Sequence, residues 1–393
     1  MGIDPRKQSK ARAAEVVDEL AEELCAISHE IWEHPELCFE ESFAHDRLCD
    51  SLEGHGLRTQ RHAYGLETAF EARAGTTGAE VGVLCEYDAL PRIGHACGHN
   101  VIAAAGLGAG LAAAAVAEEA GGRVRILGTP AEEGGGGKVF MAREGAFEGL
   151  AAAMMIHPAD QDLATMDVIA NQQVIVEYHG RAAHAAAAPH EGTNALDAAV
   201  IGYMAVAALR QHIRSDERIH GVFLDGGDKP NIVPAHASMH WYIRAADMDD
   251  LEDLKVRVLD ALRSGATATG TEMTYEWQDP PYADMVTDET VLGFYAENAA
   301  ALGRPVARET SRPVMGSTDM GNVSHAVPAI HPMLKVAPTG VAIHTPEFAH
   351  HARSEDGDRA VVDGALAMAL TIVDLWADET SLPAVRGAFG ATP

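Results

Sequence analysis

Between residues 11 and 33 the apolar positions Val16, Val17, Leu20, Leu24, Ile27 and Ile31 fall at three- and four-residue steps, the stripe of an amphipathic helix. His34-Pro35-Glu36-Leu37 ends it, because proline disfavours a helical conformation in the residue before it. A second helix is predicted over 41–53. The pattern then changes: residues 80–86, Glu-Val-Gly-Val-Leu-Cys-Glu, form a short apolar run that predicts a buried strand. A loop over 87–98 leads into an uncharged Ala/Gly-rich stretch, Val101 to Ala117. Arg123 to Gly128 is the next predicted strand, and Ala152 to Ile156 a third, ending at His157. Strand–loop–helix alternation implies an α/β sheet with parallel strands, which carries its sites at the strands' carboxyl ends.

Near residue 170 the periodicity becomes two. Gln172 to His179 alternates as a half-exposed strand. A helix at 194–213, strands near 218–225 and 236–244, a helix at 249–265 and a strand at 271–278 complete a β-α-β-β-α-β order, the ferredoxin-like arrangement. Asp279-Pro280-Pro281 closes this insert, and the remainder returns to helix and strand. The expected fold is therefore a main α/β domain in two parts, 1–169 and 284–393, with a mostly parallel central sheet, interrupted by a ferredoxin-like α+β domain at 170–283.

Composition narrows the function. A chain of 393 residues is long for one core, which agrees with two domains. The formal charge of −29 argues against a nucleic-acid partner, whose phosphates need clustered Lys and Arg. Val101 to Ala117 is too weakly apolar and too short for a membrane span, so a buried helix is expected and no membrane partner. The five cysteines, Cys25, Cys38, Cys49, Cys85 and Cys97, are odd in number and lack the spacing of a disulfide framework. No charged region followed by an apolar one opens the chain, so no signal peptide is read and a cytoplasmic, reducing location is expected.

The chemistry concentrates in two segments, His95-Ala96-Cys97-Gly98-His99-Asn100 and Thr129-Pro130-Ala131-Glu132-Glu133-Gly134. A thiol and an imidazole two residues apart can converge on one metal ion. Adjacent carboxylates can then divide the work, one binding metal and the other moving protons. No second cysteine pair completes a structural zinc site. The competing readings are a buried cysteine beside a helix-capping histidine, and loop acids that are merely solvated. His157, at an apolar strand end, and His344, in Ile343-His344-Thr345-Pro346, are ordinary loop histidines when taken singly.

Together with His34-Pro35-Glu36-Leu37, Glu86-Tyr87-Asp88-Ala89-Leu90-Pro91, Gly180 to Pro189 around His184, Gly316-Ser317-Thr318-Asp319 and His344-Thr345-Pro346-Glu347-Phe348, these segments resemble the aminoacylase-type metallopeptidases over nearly the whole chain. The resemblance is to the branch with aminobenzoyl-glutamate hydrolases, auxin–amino-acid conjugate hydrolases and aminoacylase-like β-alanyl dipeptidases. It implies two divalent metal ions per subunit, zinc or manganese with cobalt as a further candidate, held by Cys97, His99, Glu133, His157 and His344. Glu132 would be the general base, assisting attack of a metal-bound hydroxide on an amide, and Asp88 would orient a ligand ring. Asn100 departs from the Asp that many relatives carry there.

The resemblance also implies that His184 stabilises the oxyanion, and that Asn231 and Arg244 contact a small-molecule amide substrate, Arg244 pairing with its carboxylate. Gly316, Ser317 and Gly340 would shape the pocket, and the insert would act as a lid and pair two chains into a homodimer, with His184 completing the neighbour's site. The expected reaction is hydrolysis of an N-acyl amino acid, an aminobenzoyl-glutamate-like conjugate or a small dipeptide. The alternatives are a dipeptidase requiring a free amino terminus, and a catalytically silent protein that binds a small ligand.

Overall fold

The computed structural model describes residues 4–309 and 315–378. The chain opens with α1 (Pro5–Glu33) and α2 (Ser42–Gly54), followed by β1 (Thr59–Arg61), β2 (Phe70–Ala74) and β3 (Glu80–Glu86). Next come α3 (His99–Ala120), β4 (Arg123–Thr129), α4 (Gly137–Arg143), β5 (Ala152–Met154), β6 (His157–Ala159) and β7 (Asp167–Val168). The insert holds β8 (Ala170–His179), α5 (Ala195–Leu209), β9 (Arg218–Asp225), β10 (His236–Ala245), α6 (Met248–Thr269) and β11 (Glu272–Trp277). The chain continues with α7 (Glu289–Ala301), β12 (Met315–Gly316), α8 (Met320–Ala326), β13 (Ala329–Ile330), β14 (Met333–Lys335), α9 (Pro346–His351) and α10 (Glu355–Ala377).

Two compact units result, Met1–Asp167 with Met285–Pro393, and Val168–Asp284. The first is built on a six-stranded sheet in the order β1-β2-β4-β3-β5-β13. Its centre is parallel, as the strand–helix alternation predicts, but β1–β2 and β2–β4 are antiparallel. This edge escapes the periodicity because Thr59–Arg61 is polar and Phe70–Ala74 is interrupted by Glu71 and Arg73. Alternate residues of β3 feed two cores. Val81, Val83 and Cys85 pack with α1, α3 and α10, whereas Leu84 joins Met320 and Val323 of α8 on the other face.

The Ala/Gly stretch is the central helix α3, buried along most of its length against α1 and α10. By length and composition alone α3 and α10 could each cross a membrane, yet both are mostly buried in this core. Gly98, which starts α3, has φ of +81°, and a Cβ there would stand 2.7 Å from Pro158, so only glycine fits between Cys97 and His99. The third predicted strand is shorter than expected. It stops at Met154, and the chain re-enters a separate parallel pair, β6 with β14, in which His157 lies opposite Met333.

The second unit is an antiparallel sheet in the order β11-β8-β10-β9, packed on α5 and α6. The chain order β-α-β-β-α-β is the ferredoxin-like one predicted. Alternation along β8 and β10 buries Val174, Val176, Tyr178, Met239, Trp241 and Ile243 under the helices. Asn194 and Asp247 cap the two helices by accepting backbone N–H groups of the first turn.

Candidate active site

Three loops of the first unit converge at the carboxyl ends of β3, β4 and β5. The loop after β3 carries Asp88 and leads to Cys97 and His99, and the loop after β4 carries Glu132 and Glu133. His157 follows β5, and the loop before α9 supplies His344, whose backbone N–H donates to Ala96 O at 2.8 Å. Two groups of possible metal donors form, Cys97–His99–His157 and Cys97–Glu133–His344, with the donor atoms of each group within 4.8 Å of one another. Cys97 belongs to both. A third group, Glu86–His99–Glu132, adjoins them.

The ligand rings are held from behind. His99 Nδ1 is 2.8 Å from Asp88 O and 3.1 Å from Asp88 Oδ1, so it is the donating nitrogen and Nε2 faces the cluster. His157 Nδ1 donates to Pro158 O at 2.7 Å, which leaves Nε2 at 3.4 Å from Cys97 Sγ. Asp88 Oδ2 also accepts the Glu133 N–H at 2.8 Å. Burial pushes the Asp88 carboxyl up, but these hydrogen bonds and the His99 charge more than offset it, and its pKa falls to about 2. Asp88 therefore orients His99, as the resemblance implies, and also fixes the Glu132-Glu133 loop.

That loop is strained and braced. Ala131 adopts φ of +60°, a costly conformation for a side chain other than glycine. Its N–H donates at 2.9 Å to Glu41 Oε1, which also accepts the Phe39 N–H, while Thr68 Oγ1 donates to Glu41 Oε2. Glu41 is fully buried, and burial pushes its carboxyl up to about 7. Cys38 donates to Glu133 O at 3.1 Å. The segment that follows His34-Pro35 is thus a scaffold for the Glu132-Glu133 turn.

Behind the cluster lies a buried ion triad that the sequence pattern does not single out. Lys138 Nζ is bonded to Glu86 and, at 2.7 Å, to Asp319, and none of the three side chains is more than 1% exposed. Two carboxylates around one ammonium hold Lys138 in its charged form, while burial raises both Glu86 and Asp319. Burial together with Glu86 and Glu133 also raises Glu132 well above the usual carboxylate range. No spacing rule signals Lys138 or Asp319, because they come from α4 and from the start of α8.

The donor set fits divalent cations. Glu86, Asp88, Glu132 and Asp319 are buried and Glu133 nearly so, with one lysine among them, which leaves an excess of four negative charges if all five carboxylates ionise. His99 Nε2 and Glu86 Oε1 approach to 3.1 Å, yet neither has a hydrogen-bond partner, nor does Glu133 Oε1. Burial and Glu133 press the Cys97 thiol well above its ordinary pKa, so a thiolate there requires a cation.

Residues 84–372 match peptidase family M20/M25/M40. The chain belongs to this family. An Xaa-Arg dipeptidase of Mus musculus is 40% identical over 397 residues, spanning 97% of this chain and 92% of its own. A p-aminobenzoyl-glutamate hydrolase of Escherichia coli is 29% identical over 426 residues, spanning 90% and 89%. Among solved structures, a Bacillus subtilis dinuclear metal-binding M20 peptidase superposes with a TM-score of 0.72 at 19% identity, covering 91% of this chain and 99% of that one. The M20 chain described here is accordingly a peptidase or amidohydrolase acting on amide bonds, with a cluster of candidate metal-binding residues at its centre.

The remaining predicted residues lie elsewhere. Gly316 is in β12, which pairs with β7, and Ser317 follows it. Gly340 N donates to Asp160 Oδ2 at 2.6 Å in an exposed loop. In the second unit His184 is exposed. Its Nδ1 accepts the N–H groups of Ala186 and Ala187, so Nε2 carries the proton and is the donor. Ala185 N donates to Asn231 O at 3.1 Å, which places His184 and Asn231 side by side. Arg244 lies at the far end of β10. Eight residues separate it from His236, roughly 27 Å of strand. One lid thus does not present His184, Asn231 and Arg244 together.

Asn100 acquires a structural explanation. Its Nδ2 donates to Ser28 Oγ at 2.9 Å and to Ala352 O at 3.0 Å, joining α3 to α1 and to the segment after α9. An aspartate has no N–H with which to replace these bonds.

Proposed function

We propose that this M20 chain is a dinuclear metal-dependent hydrolase of small amides, and that its substrate is a dipeptide or an N-acyl amino acid. The observation that carries the reading is the pair of donor triads sharing Cys97. Cys97, His99 and His157 would hold one divalent ion, and Cys97, Glu133 and His344 the other. Bound there, the ions supply Lewis acidity and lower the pKa of water. The soft thiolate and imidazoles favour zinc, with manganese or cobalt as substitutes. Glu132 takes the proton of the attacking water and delivers it to the leaving amine, for which a carboxyl with a raised pKa is suited. Asp88 holds the His99 tautomer, and Glu41 holds the turn that presents Glu132.

Among relatives, the 40% identity to an Xaa-Arg dipeptidase favours the dipeptide, and identity to the aminobenzoyl-glutamate hydrolase keeps acylated amino acids in view. Arg244 would bind the substrate carboxylate. Its Nε is buried without a partner, and burial weakens its hold on the proton. The unit at 168–284 would pair two chains, because it leaves Val200, Ile201 and Met204 of α5 and Val222, Phe223 and Leu224 of β9 exposed. The span along β10 favours two lids serving one substrate, with Arg244 from one chain and His184 and Asn231 from its partner. The five unpaired cysteines fit a reducing cytoplasm.

Matched free and N-acetylated dipeptides, with cationic and neutral C-terminal residues, should be assayed with zinc- and manganese-loaded protein. Hydrolysis of the free series alone assigns a dipeptidase, and hydrolysis of neither by fully loaded protein refutes the reading. Glu132→Gln is expected to keep its metal by elemental analysis and to lose roughly 10²–10⁴ in turnover. Mixed dimers of Glu132→Gln and His184→Ala chains are expected to regain activity, since one of their two sites is then intact. No recovery in demonstrated mixed dimers refutes the exchange.

A further inference from the structure

His331 follows β13, at the same edge of the sheet as the metal-ligand cluster. Its side chain is 1% exposed, and neither ring nitrogen has a hydrogen-bond partner. The ring stands edge-to-face on His157, with centroids 5.4 Å apart and planes at 73°. His157 makes a similar contact with His99 at 6.0 Å and 87°. The backbone is equally close, since the His157 N–H donates to Pro332 O, the residue after His331, at 2.9 Å.

Packing accounts for a ring at this place but not for its nitrogens. A neutral imidazole carries one N–H donor and one lone-pair acceptor in either tautomer, and burying both unpaired is destabilising. A phenyl ring would fill nearly the same volume and make the same edge-to-face contact without that penalty. Buried polar groups that persist without protein partners mark places where something else is bound during function. His331 is absent from all three donor groups, so its nitrogens do not sit among the ligand atoms. Its electrostatic neighbours are His157, Lys138 and His99, which border the cluster.

We propose that His331 is a hydrogen-bonding residue of the reaction centre, donating its ring N–H to the reacting oxygen during amide hydrolysis. The inference rests on the hydrolase reading given above. A donor realised at the reacting oxygen acts on turnover and leaves substrate affinity nearly unchanged.

The test uses metal-loaded parent, His331→Phe and His331→Gln, each characterised by metal content, thermal melting and steady-state kinetics. His331→Phe is expected to bind the parental amount of metal and to melt no lower than the parent. Its kcat should fall roughly 10- to 100-fold, with KM within threefold. His331→Gln, which keeps a donor and an acceptor, should recover part of that loss. Parental kcat in His331→Phe overturns the proposal. So does a melting temperature several degrees lower or a loss of metal, either of which makes the residue structural, and so does a rise in KM at unchanged kcat. Where the parent is active, these outcomes bear on His331 alone, whereas a loaded parent inactive on every amide removes the hydrolase reading and this inference with it.

Discussion

Replacing Glu41 with glutamine should make the protein more stable at high pH while leaving it unchanged at low pH. Glutamine can keep the observed bonds: its Oε1 accepts from Phe39 and Ala131, and its Nε2 donates to a Thr68 hydroxyl that has rotated. What it removes is the titration. Raising a buried carboxyl from its ordinary 4.5 to about 7 corresponds to about 3 kcal/mol. The folded pKa lies above the unfolded one, so the folded state binds the proton more tightly. Below pH 4.5 both states are protonated and no cost arises. From there to about 7 the unfolded chain ionises first and stability falls, and above that the full cost persists. Between pH 5 and 8 the variant should therefore gain about 2.5 kcal/mol on the parent, a relative rise in melting temperature on the order of 5 °C for a chain of this size. Calorimetric melting of both proteins at saturating metal, at steps from pH 5 to 8, measures the difference, in which the shared pH dependence of metal binding cancels. Parallel curves would refute the assignment of a raised pKa to Glu41.

Lys138→Met strips the only cation from the buried triad and should cost about 3–5 kcal/mol. The loss should be larger at pH 8 than at pH 6, because Glu86 and Asp319 then hold protons in the folded state only; a pH-independent loss of under 1 kcal/mol in denaturant melts would contradict this. Cys97→Ser should lower occupancy of both metal positions together, since each triad depends on that thiolate, and elemental analysis showing one ion fully retained would argue against the shared ligand. No acyl adduct should form on Cys97 during turnover, as checked by mass spectrometry of quenched samples.

The parts of the fold legible in the sequence are those with long, consistent periodicity. Residues 16–31 and 172–179 declare one face each, and the β-α-β-β-α-β order of the insert follows from elements of ordinary length. The polar edge strands β1 and β2 are not legible, because three to five residues with charges carry no clear period. The change of sheet at Met155-Ile156 is hidden for a related reason: an unbroken apolar run does not show where its hydrogen-bond partner changes. In the candidate site, Cys97, His99 and the Glu132-Glu133 pair are conspicuous as neighbours in the chain. Lys138, Asp319 and His331 are not, since what distinguishes them is burial and the partners that topology brings or withholds. Glu41 stands inside a recognisable motif, but its task, holding the N–H of a residue 90 positions away, is visible only in three dimensions.

The placement of α3 between α1 and α10 has a consequence for biosynthesis. When α3 leaves the ribosome, α1 and its neighbouring strands are already available, but α10 begins more than two hundred residues later, after the entire inserted unit. At typical elongation rates that interval is on the order of 10–50 s. The insert contains its own core and can complete itself in the meantime. The first unit must wait, with one flank of an almost uncharged helix uncovered. The most aggregation-prone species of this protein is therefore expected to be a nascent chain carrying a finished insert and a half-built main unit, and deletions near the carboxyl terminus that remove α10 should divert synthesis toward chaperones and proteases.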